Sequence, residues 1–588
     1  MKQFFKFMFA SMVGVFLVFV IMFFLLMGVL ASVAALAQRQ EVTIKPNTVL
    51  HLKLNEQIVD RSEENPFEDF NFGGVQGIST LGLNDILNNI RKAQKDPNIA
   101  GIFLDLSTVQ AGWATLDEIK AALDTFRTSG KFIVAYSETM MQRAYFLAAS
   151  ADKIYLNPAG MIDFRGLNTQ LVFFKNLLDN LGIEPQVIRH GRFKSAAEPF
   201  FLERMSPENR EQISSYVNSI WGEVLEDISI NRGLSTEHLN QVADGFFTRN
   251  PALAMEWQMI DGIKHRDEVL DELAGRLGIE DANEIEFVSF ENYRRVAAPP
   301  QIPRSRNKIA VVYGTGAIVS GKGTGQQMGS DRIAAAIREA RLDTAVKAIV
   351  FRVNSPGGSA LASEVIHREV KLASQVKPVI VSMGDVAGSG GYYVAAHASM
   401  IVANPSTITG SIGVFGLIPN MQNFFNRELG ITFDNVKTNR YSDLMTINRP
   451  LTASERRLIQ EEVERIYDTF VGHVADGREM RVSLVDSLGQ GRVYSGEQAK
   501  HLGLIDKIGG LNVAIEQAAA KANLADFRIV ELPAQRDFFT MLTEGFATMQ
   551  EAALRNKLGS AYHYYRQVRT VGEISGFLTR MPYDVVID

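Results

Sequence analysis

Ser389 stands between Gly388 and Gly390 in GDVAGSGGYYVAAH (Gly384–His397), where four of the first eight residues are glycine. An apolar run follows at once. Glycine on both sides lets a substrate backbone approach a serine hydroxyl without meeting a Cβ. A second glycine-rich turn, Asn354-Ser355-Pro356-Gly357-Gly358, lies upstream. Backbone N–H groups at Gly358 and Gly390 are candidates for an oxyanion hole, whose loss of one donor costs about 10²–10³ in rate. The chemistry is acyl transfer by a serine nucleophile, and it needs a base. Histidine is the first candidate, but the G-x-S-x-G elbow is broken by Ala387. His397 lies eight residues along the same predicted helix, too far to return. His367 sits mid-helix among charged neighbours and reads as solvated. His190 carries no supporting pattern. Asp385 has two readings, the third member of a triad or, in preference, a carboxylate bonding the backbone of its own turn. A lysine deprotonated by burial is the other base available near neutrality.

The elements that must position these groups occur twice. GIFLDLS (Gly101–Ser107), KFIVAYSE (Lys131–Glu138) and ADKIYLNP (Ala151–Pro158) are matched by AIVFRVNSPGG (Ala348–Gly358), KPVIVSMGD (Lys377–Asp385) and SMIVANP (Ser399–Pro405). Asn157 and Asn404 are 247 apart, as are Leu104 and Phe351. MIDGI (Met259–Ile263) and LIDKI (Leu504–Ile508) follow at a shift of 245. A near-constant shift over this length indicates one duplicated unit. Continuous apolar β-branched runs alternate with helical stretches, which predicts parallel strands covered on both faces. In the second half, KIAVVY, AIVFRV, PVIVSM and MIVANP read as strands. SDRIAAAIREAR, SALASEVIHREVKLAS and GYYVAAHA read as helices. Sites in such folds form on loops leaving the C-terminal strand ends.

The two halves differ where it matters. Ser389 falls opposite Gln142, at a shift of 247. Arg192-Phe193 aligns with Arg440-Tyr441 at a shift of 248, which puts Lys194 opposite Ser442. The first half has the lysine and no serine nucleophile. The second has the serine and no lysine. A site that needs both a serine nucleophile and a lysine base would have to form between the halves.

The motifs FKSAAEPF around Lys194, NSPGGS at Asn354–Ser359, GDVAGSGGYY around Ser389 and NPSTITGSIGVFG at Asn404–Gly416 together resemble the signal peptide peptidase A (protease IV) family in its long, duplicated form. The resemblance runs from the N-terminal apolar segment to about Gly510. It implies an α/β fold of two tandem Clp protease/crotonase-like domains preceded by one transmembrane helix. It implies a Ser–Lys dyad of Ser389 and Lys194, with Ser411 orienting the lysine amine. It also implies a homotetramer that cuts hydrophobic peptides such as cleaved signal peptides. No metal or organic cofactor is expected. Two alternatives stand beside this reading: a crotonase-like acyl-CoA enzyme, and a catalytically silent membrane-bound scaffold.

The chain has 588 residues, 46% hydrophobic and 21% charged, which is the composition of a globular protein. Sixty basic and 66 acidic residues leave a formal charge of −6, and no basic tract points to nucleic acid. With no cysteine, disulfides and thiolate chemistry are excluded. Phe7–Ala37 carries no charge over 31 residues, more than the about 20 that span a bilayer. Lys2 and Lys6 precede it, which predicts a signal-anchor with a cytoplasmic N-terminus and a body on the extracytoplasmic side of the inner membrane. Ala35-Leu36-Ala37 also has the form of a cleavage site before Gln38. The expected domains are 1–40 (anchor), 41–296 (lysine-bearing repeat), 297–306 (a proline-rich linker), 307–525 (serine-bearing repeat) and 526–588 (C-terminal extension).

Overall fold

The computed structural model describes residues 2–37, 43–62, 80–296, 305–534 and 576–581, with isolated positions between 554 and 565. The Ala37–Gln38 bond and residues 297–304 of the expected linker lie outside or at the edge of these. The helix Lys2–Ala37 contains a 22-residue stretch, Gln3–Phe24, of mean hydropathy 2.7 and no burial, long and apolar enough to cross a membrane.

The first repeat contributes β1 (Thr48–Leu52), β2 (Gln57–Val59), β3 (Thr80–Gly82), β4 (Ile99–Asp105), β5 (Phe132–Met141), β6 (Lys153–Asp163), β7 (Glu184–Arg189), β8 (Gly262–Ile263) and β9 (Phe287–Ser289). Six of these form a parallel sheet in the order β8-β6-β5-β4-β1-β9, and β2 pairs with β3. The second repeat contributes β10 (Lys308–Thr315), β11 (Ala317–Val319), β12 (Gln327–Gly329), β13 (Val346–Ser355), β14 (Gly357–Ser359), β15 (Val379–Gly388), β16 (Met400–Ala403), β17 (Ile408–Gly410), β18 (Phe415–Asn420), β19 (Val493–Ser495), β20 (Lys507–Ile508) and β21 (Arg528–Leu532), the last lying past the expected end of the repeat at residue 525 because it pairs with β10. Its sheet repeats the first, since β20-β16-β15-β13-β10-β21 are neighbours in that order. The strand order is thus the same in both repeats, as the internal duplication requires. Buried Ile, Val, Leu and Phe fill both faces of these strands, which is why they read as unbroken apolar runs.

A third sheet belongs to neither repeat alone. Its order is β12-β11-β14-β22-β18-β7, where β22 is Gly576–Arg580 near the C-terminus. β7 of the first repeat runs antiparallel to β18 of the second, with Arg189 facing Phe415 and Glu184 facing Asn420. β22 runs antiparallel between β14 and β18.

Two local expectations differ from the structure. GYYVAAH is helical only over Gly390–Tyr393 and continues as turns, so little helix dipole faces Ser389. The glycine-rich stretches expected as loops are strand. β15 runs on to Gly388 because Val386–Gly388 pair with Ile408–Gly410 of β17, and Gly357–Ser359 form β14. Tertiary pairing overrides the weak strand propensity of glycine there.

A polar seam joins the repeats. Arg352 of β13 is fully buried and donates from Nε to Asp60 Oδ1 at 2.7 Å, and its Nη1 lies 2.8 Å from Glu118 Oε1. Glu118 Oε2 accepts from Leu511 N (2.7 Å), and Asn404 Nδ2 donates to Ala114 O (3.1 Å). Buried charges of this kind are tolerated because each is paired and hydrogen-bonded.

Candidate active site

Ser389 sits at the turn from β15 into the short helix Gly390–Tyr393, with φ 54° and ψ −112°. A side-chain-bearing residue in the left-handed half of the map is strained, and surrounding contacts hold it there. Its N–H donates to Gly410 O (2.8 Å), and its O accepts from Tyr393 N (2.8 Å). This is a strand-to-helix elbow without the first glycine of the elbow motif. Ala387 is accommodated because it pairs within the sheet with Ser355 and Thr409.

Lys194 reaches the serine because β7 crosses to the second repeat. After Arg189 the chain turns at Gly191 (φ 95°), where a Cβ would stand 2.4 Å from Gln490 O. His190 N then bonds Val414 O (3.1 Å), and Phe193 N bonds Gln490 O (2.9 Å). Gly491 (φ 80°) presses against the lysine backbone, since a Cβ there would lie 2.6 Å from Lys194 Cα. The Lys194 side chain is 0% exposed. Its Nζ lies 2.9 Å from Ser389 Oγ, 3.1 Å from Ser411 Oγ and 3.4 Å from Ser411 O. Burial holds its pKa well below the ordinary lysine value. The amine is therefore neutral more readily than a surface lysine and has a lone pair to offer. Ser411, also at positive φ (51°), is held by a bond from its N–H to Arg492 O (2.7 Å).

Around Ser389, Gly390 N faces the β14 loop. A Cβ on Gly357 (φ 89°) would stand 2.7 Å from Gly390 N and 2.1 Å from Thr579 O of β22. Gly357 N–H is engaged by Ser355 Oγ (3.1 Å), and Gly358, the β14 candidate for an oxyanion donor, is paired with Ile318 of β11 and Thr579 of β22. The structure thus brings Ser389, Lys194, Ser411, Gly358 and Gly390 into one neighbourhood. The role of Gly357, which only a positive φ and a close approach can show, was not visible in the motif.

The histidines are elsewhere. His190 is stacked on Tyr467 and pairs with Glu464. His367 is not solvated, as its charged sequence neighbours suggested. It is 1% exposed, and its Nε2 lies 2.7 Å from His397 Nδ1, the two being 30 residues apart. His473 completes the group, and the three imidazoles have ligand-type atoms within 4.8 Å of one another. Among the described residues this is the cluster able to hold a cation. Burial lowers the pKa of His367 and His397, so both favour the neutral form. Asp385 bonds the other repeat and not its own turn. It accepts from Thr115 N (2.9 Å) and Thr115 Oγ1 (2.8 Å), capping the helix Trp113–Arg127. Gln142, opposite Ser389, accepts from Arg165 N and Gly166 N and has a structural part. Ser442, opposite Lys194, is exposed.

A buried amine that favours its neutral form, set beside a serine hydroxyl, can take the hydroxyl proton as the oxygen adds to a carbonyl.

Residues 125–280 and 371–525 both match the model of peptidase family S49. The chain is 38% identical to Protease 4 of Salmonella typhi over 457 residues, covering 76% of this chain and 73% of that one. Protease 4 of Haemophilus influenzae is 35% identical over 457 residues, with the same coverage. Serine protease SPPA, chloroplastic, of Arabidopsis thaliana is 33% identical over 488 residues, covering 82% of this chain and 70% of that one.

Proposed function

This chain belongs to peptidase family S49 and is a serine protease, and on that premise we propose that it works through a Ser389–Lys194 dyad assembled from its two repeats. The observation that carries the reading is the 2.9 Å contact between Lys194 Nζ and Ser389 Oγ, made inside the protein by residues 195 positions apart. Its relatives being proteases, the acyl-CoA alternative has no support.

Neutral Lys194 takes the proton of Ser389 as Oγ attacks the peptide carbonyl. Gly358 and Gly390 N–H groups receive the oxyanion. Protonated Lys194 gives its proton to the leaving amine, and an acyl-enzyme remains. Lys194 then activates water for deacylation, the part played by histidine in a Ser-His-Asp site. Ser411 fixes the amine through its hydroxyl and carbonyl oxygens. Hydrophobic peptides, cleaved signal peptides among them, are the proposed substrates. The exposed apolar N-terminal helix supports a single-pass anchor in the inner membrane, with the body outside the cytoplasm. A homo-oligomer, a tetramer in the resemblance, is the proposed assembly.

The test is turnover of a hydrophobic fluorogenic peptide by the full chain in detergent, beside Ser389→Ala and Lys194→Ala. Both variants should fold and lose activity by about 10⁴-fold or more. A Lys194→Ala variant with near-parent kcat would remove lysine from the mechanism.

A further inference from the structure

β22 occupies the groove beside the dyad, and nothing in the proposed chemistry requires it there. Its residues pair on both sides: Leu578, Thr579 and Arg580 face Ser359, Gly358 and Gly357 of β14. Gly576, Phe577 and Leu578 face Leu417, Gly416 and Phe415 of β18. Met581 N–H continues the ladder to Pro356 O at 2.6 Å.

The segment also fills the space next to the serine. Thr579 is fully buried and Met581 is 1% exposed. The Met581 thioether stands where a Cβ on Gly388 would be, 2.2 Å away, and Gly388 immediately precedes Ser389. Thr579 O lies 3.0 Å from the place of a Cβ on Gly390, and Thr579 Oγ1 lies 2.9 Å from it. Thr579 Oγ1 donates to Gly358 O at 3.3 Å. Thr579 O thus lies against Gly357 and Gly390, and Thr579 is the register partner of Gly358, so β22 covers the glycines whose N–H groups would hold the oxyanion.

A peptide attacked by Ser389 must lie extended, with its main chain on strand edges beside the serine, as in recognition by strand addition. The edges beside Ser389 are those of β14 and β18, and β22 covers both. Substrate and β22 cannot occupy the groove together. We propose that residues 576–581 are a built-in peptide ligand of the substrate groove, seated as an antiparallel strand between β14 and β18 with the Met581 side chain on Gly388, and that a substrate must displace them. This deepens the dyad reading and rests on it. The groove then selects extended peptides that offer an unbranched apolar side chain to the Gly388 floor and a small one at the Thr579 position.

A tethered competitor raises the apparent KM by the factor through which it lowers the fraction of open groove. The full chain with Met581→Asp should therefore show a KM about 10-fold or more below the parent, at similar kcat. The free hexapeptide GFLTRM should inhibit that variant competitively. A second variant reads occupancy without relying on KM. Ser359→Cys/Leu578→Cys places two thiols on facing positions of a chain that has no other cysteine. Oxidation should link them within one chain and abolish turnover, and reduction should restore it. The proposal is overturned if no link forms, if the linked chain turns over substrate like the reduced one, or if Met581→Asp leaves KM unchanged and GFLTRM does not inhibit. Retained activity in Ser389→Ala would instead sink the dyad reading, while the link would still report whether residues 576–581 lie in the groove.

Discussion

A lysine amine can serve as a base only if its surroundings disfavour the ammonium form. Lys194 meets that condition by burial, and the serine oxygens around it are hydrogen-bond partners without charge. In the proposed dyad the active form is the neutral amine, so kcat/KM should rise with pH through the depressed lysine pKa and level off above it. A flat profile across that range, with chemistry limiting, would exclude the dyad. The same shift links to stability. Between the lowered folded pKa and the ordinary 10.5, the unfolded chain carries a proton that the folded chain lacks, so stability rises with pH through that window. Lys194→Arg should be inactive at every accessible pH, because a guanidinium does not deprotonate. It should lose about as much activity as Lys194→Ala, and recovery at high pH would refute the proton-acceptor role.

At the scale of elements, the site depends on strands that leave their own repeat. β7 carries Lys194 across by pairing with β18, and Asp385 at the end of β15 reaches back to cap the helix Trp113–Arg127. The second contact allows no Cβ at residue 112, since one there would stand 2.2 Å from the Asp385 carboxyl carbon. Gly112→Ala should destabilise the folded chain by about 1–3 kcal/mol in denaturant unfolding, by forcing Asp385 off its cap. Asp385→Asn keeps the shape and the acceptor oxygen for Thr115 N, and should cost less. Equal losses in the two variants would mean that the helix cap does not depend on that close fit. The shift of 247 made the repeats legible because strand order and spacing are local consequences of hydrophobic pattern. It did not reveal β22, whose short mixed sequence becomes a strand only by pairing on both edges.

At the scale of the whole molecule, one internal pairing has an unfilled counterpart. Leu181-Gly182-Ile183, which leads into β7, matches Leu429-Gly430-Ile431 at the same shift of 248 that aligns Arg192-Phe193 with Arg440-Tyr441. The counterpart of β7 is then 432–437, which pairs with no strand among the described residues and is exposed, with Phe433 and Val436 among its apolar side chains. If the proposed homo-oligomer uses the contact already made inside each chain, this segment adds to the first repeat of a neighbouring copy. Such a head-to-tail contact closes into a ring when the rotation allows. Val436→Asp should then shift the detergent-solubilised chain toward the mass of one copy in light scattering, with the single-chain dyad intact. An unchanged mass would place the interface elsewhere.

From the sequence alone came the duplication, the parallel α/β pattern, the apolar N-terminal segment, the candidate nucleophile and the division of lysine and serine between halves. These follow from local chemistry: periodicity, glycine beside a serine, and the residue types opposite one another at a constant shift. The tertiary structure alone decided that Lys194 is buried, that its amine meets Ser389 and Ser411, that Asp385 serves the other repeat, and that a strand from near residue 580 pairs with β14 and β18. Each of those depends on pairing between segments some 200 residues or more apart, where no local propensity can specify the partner.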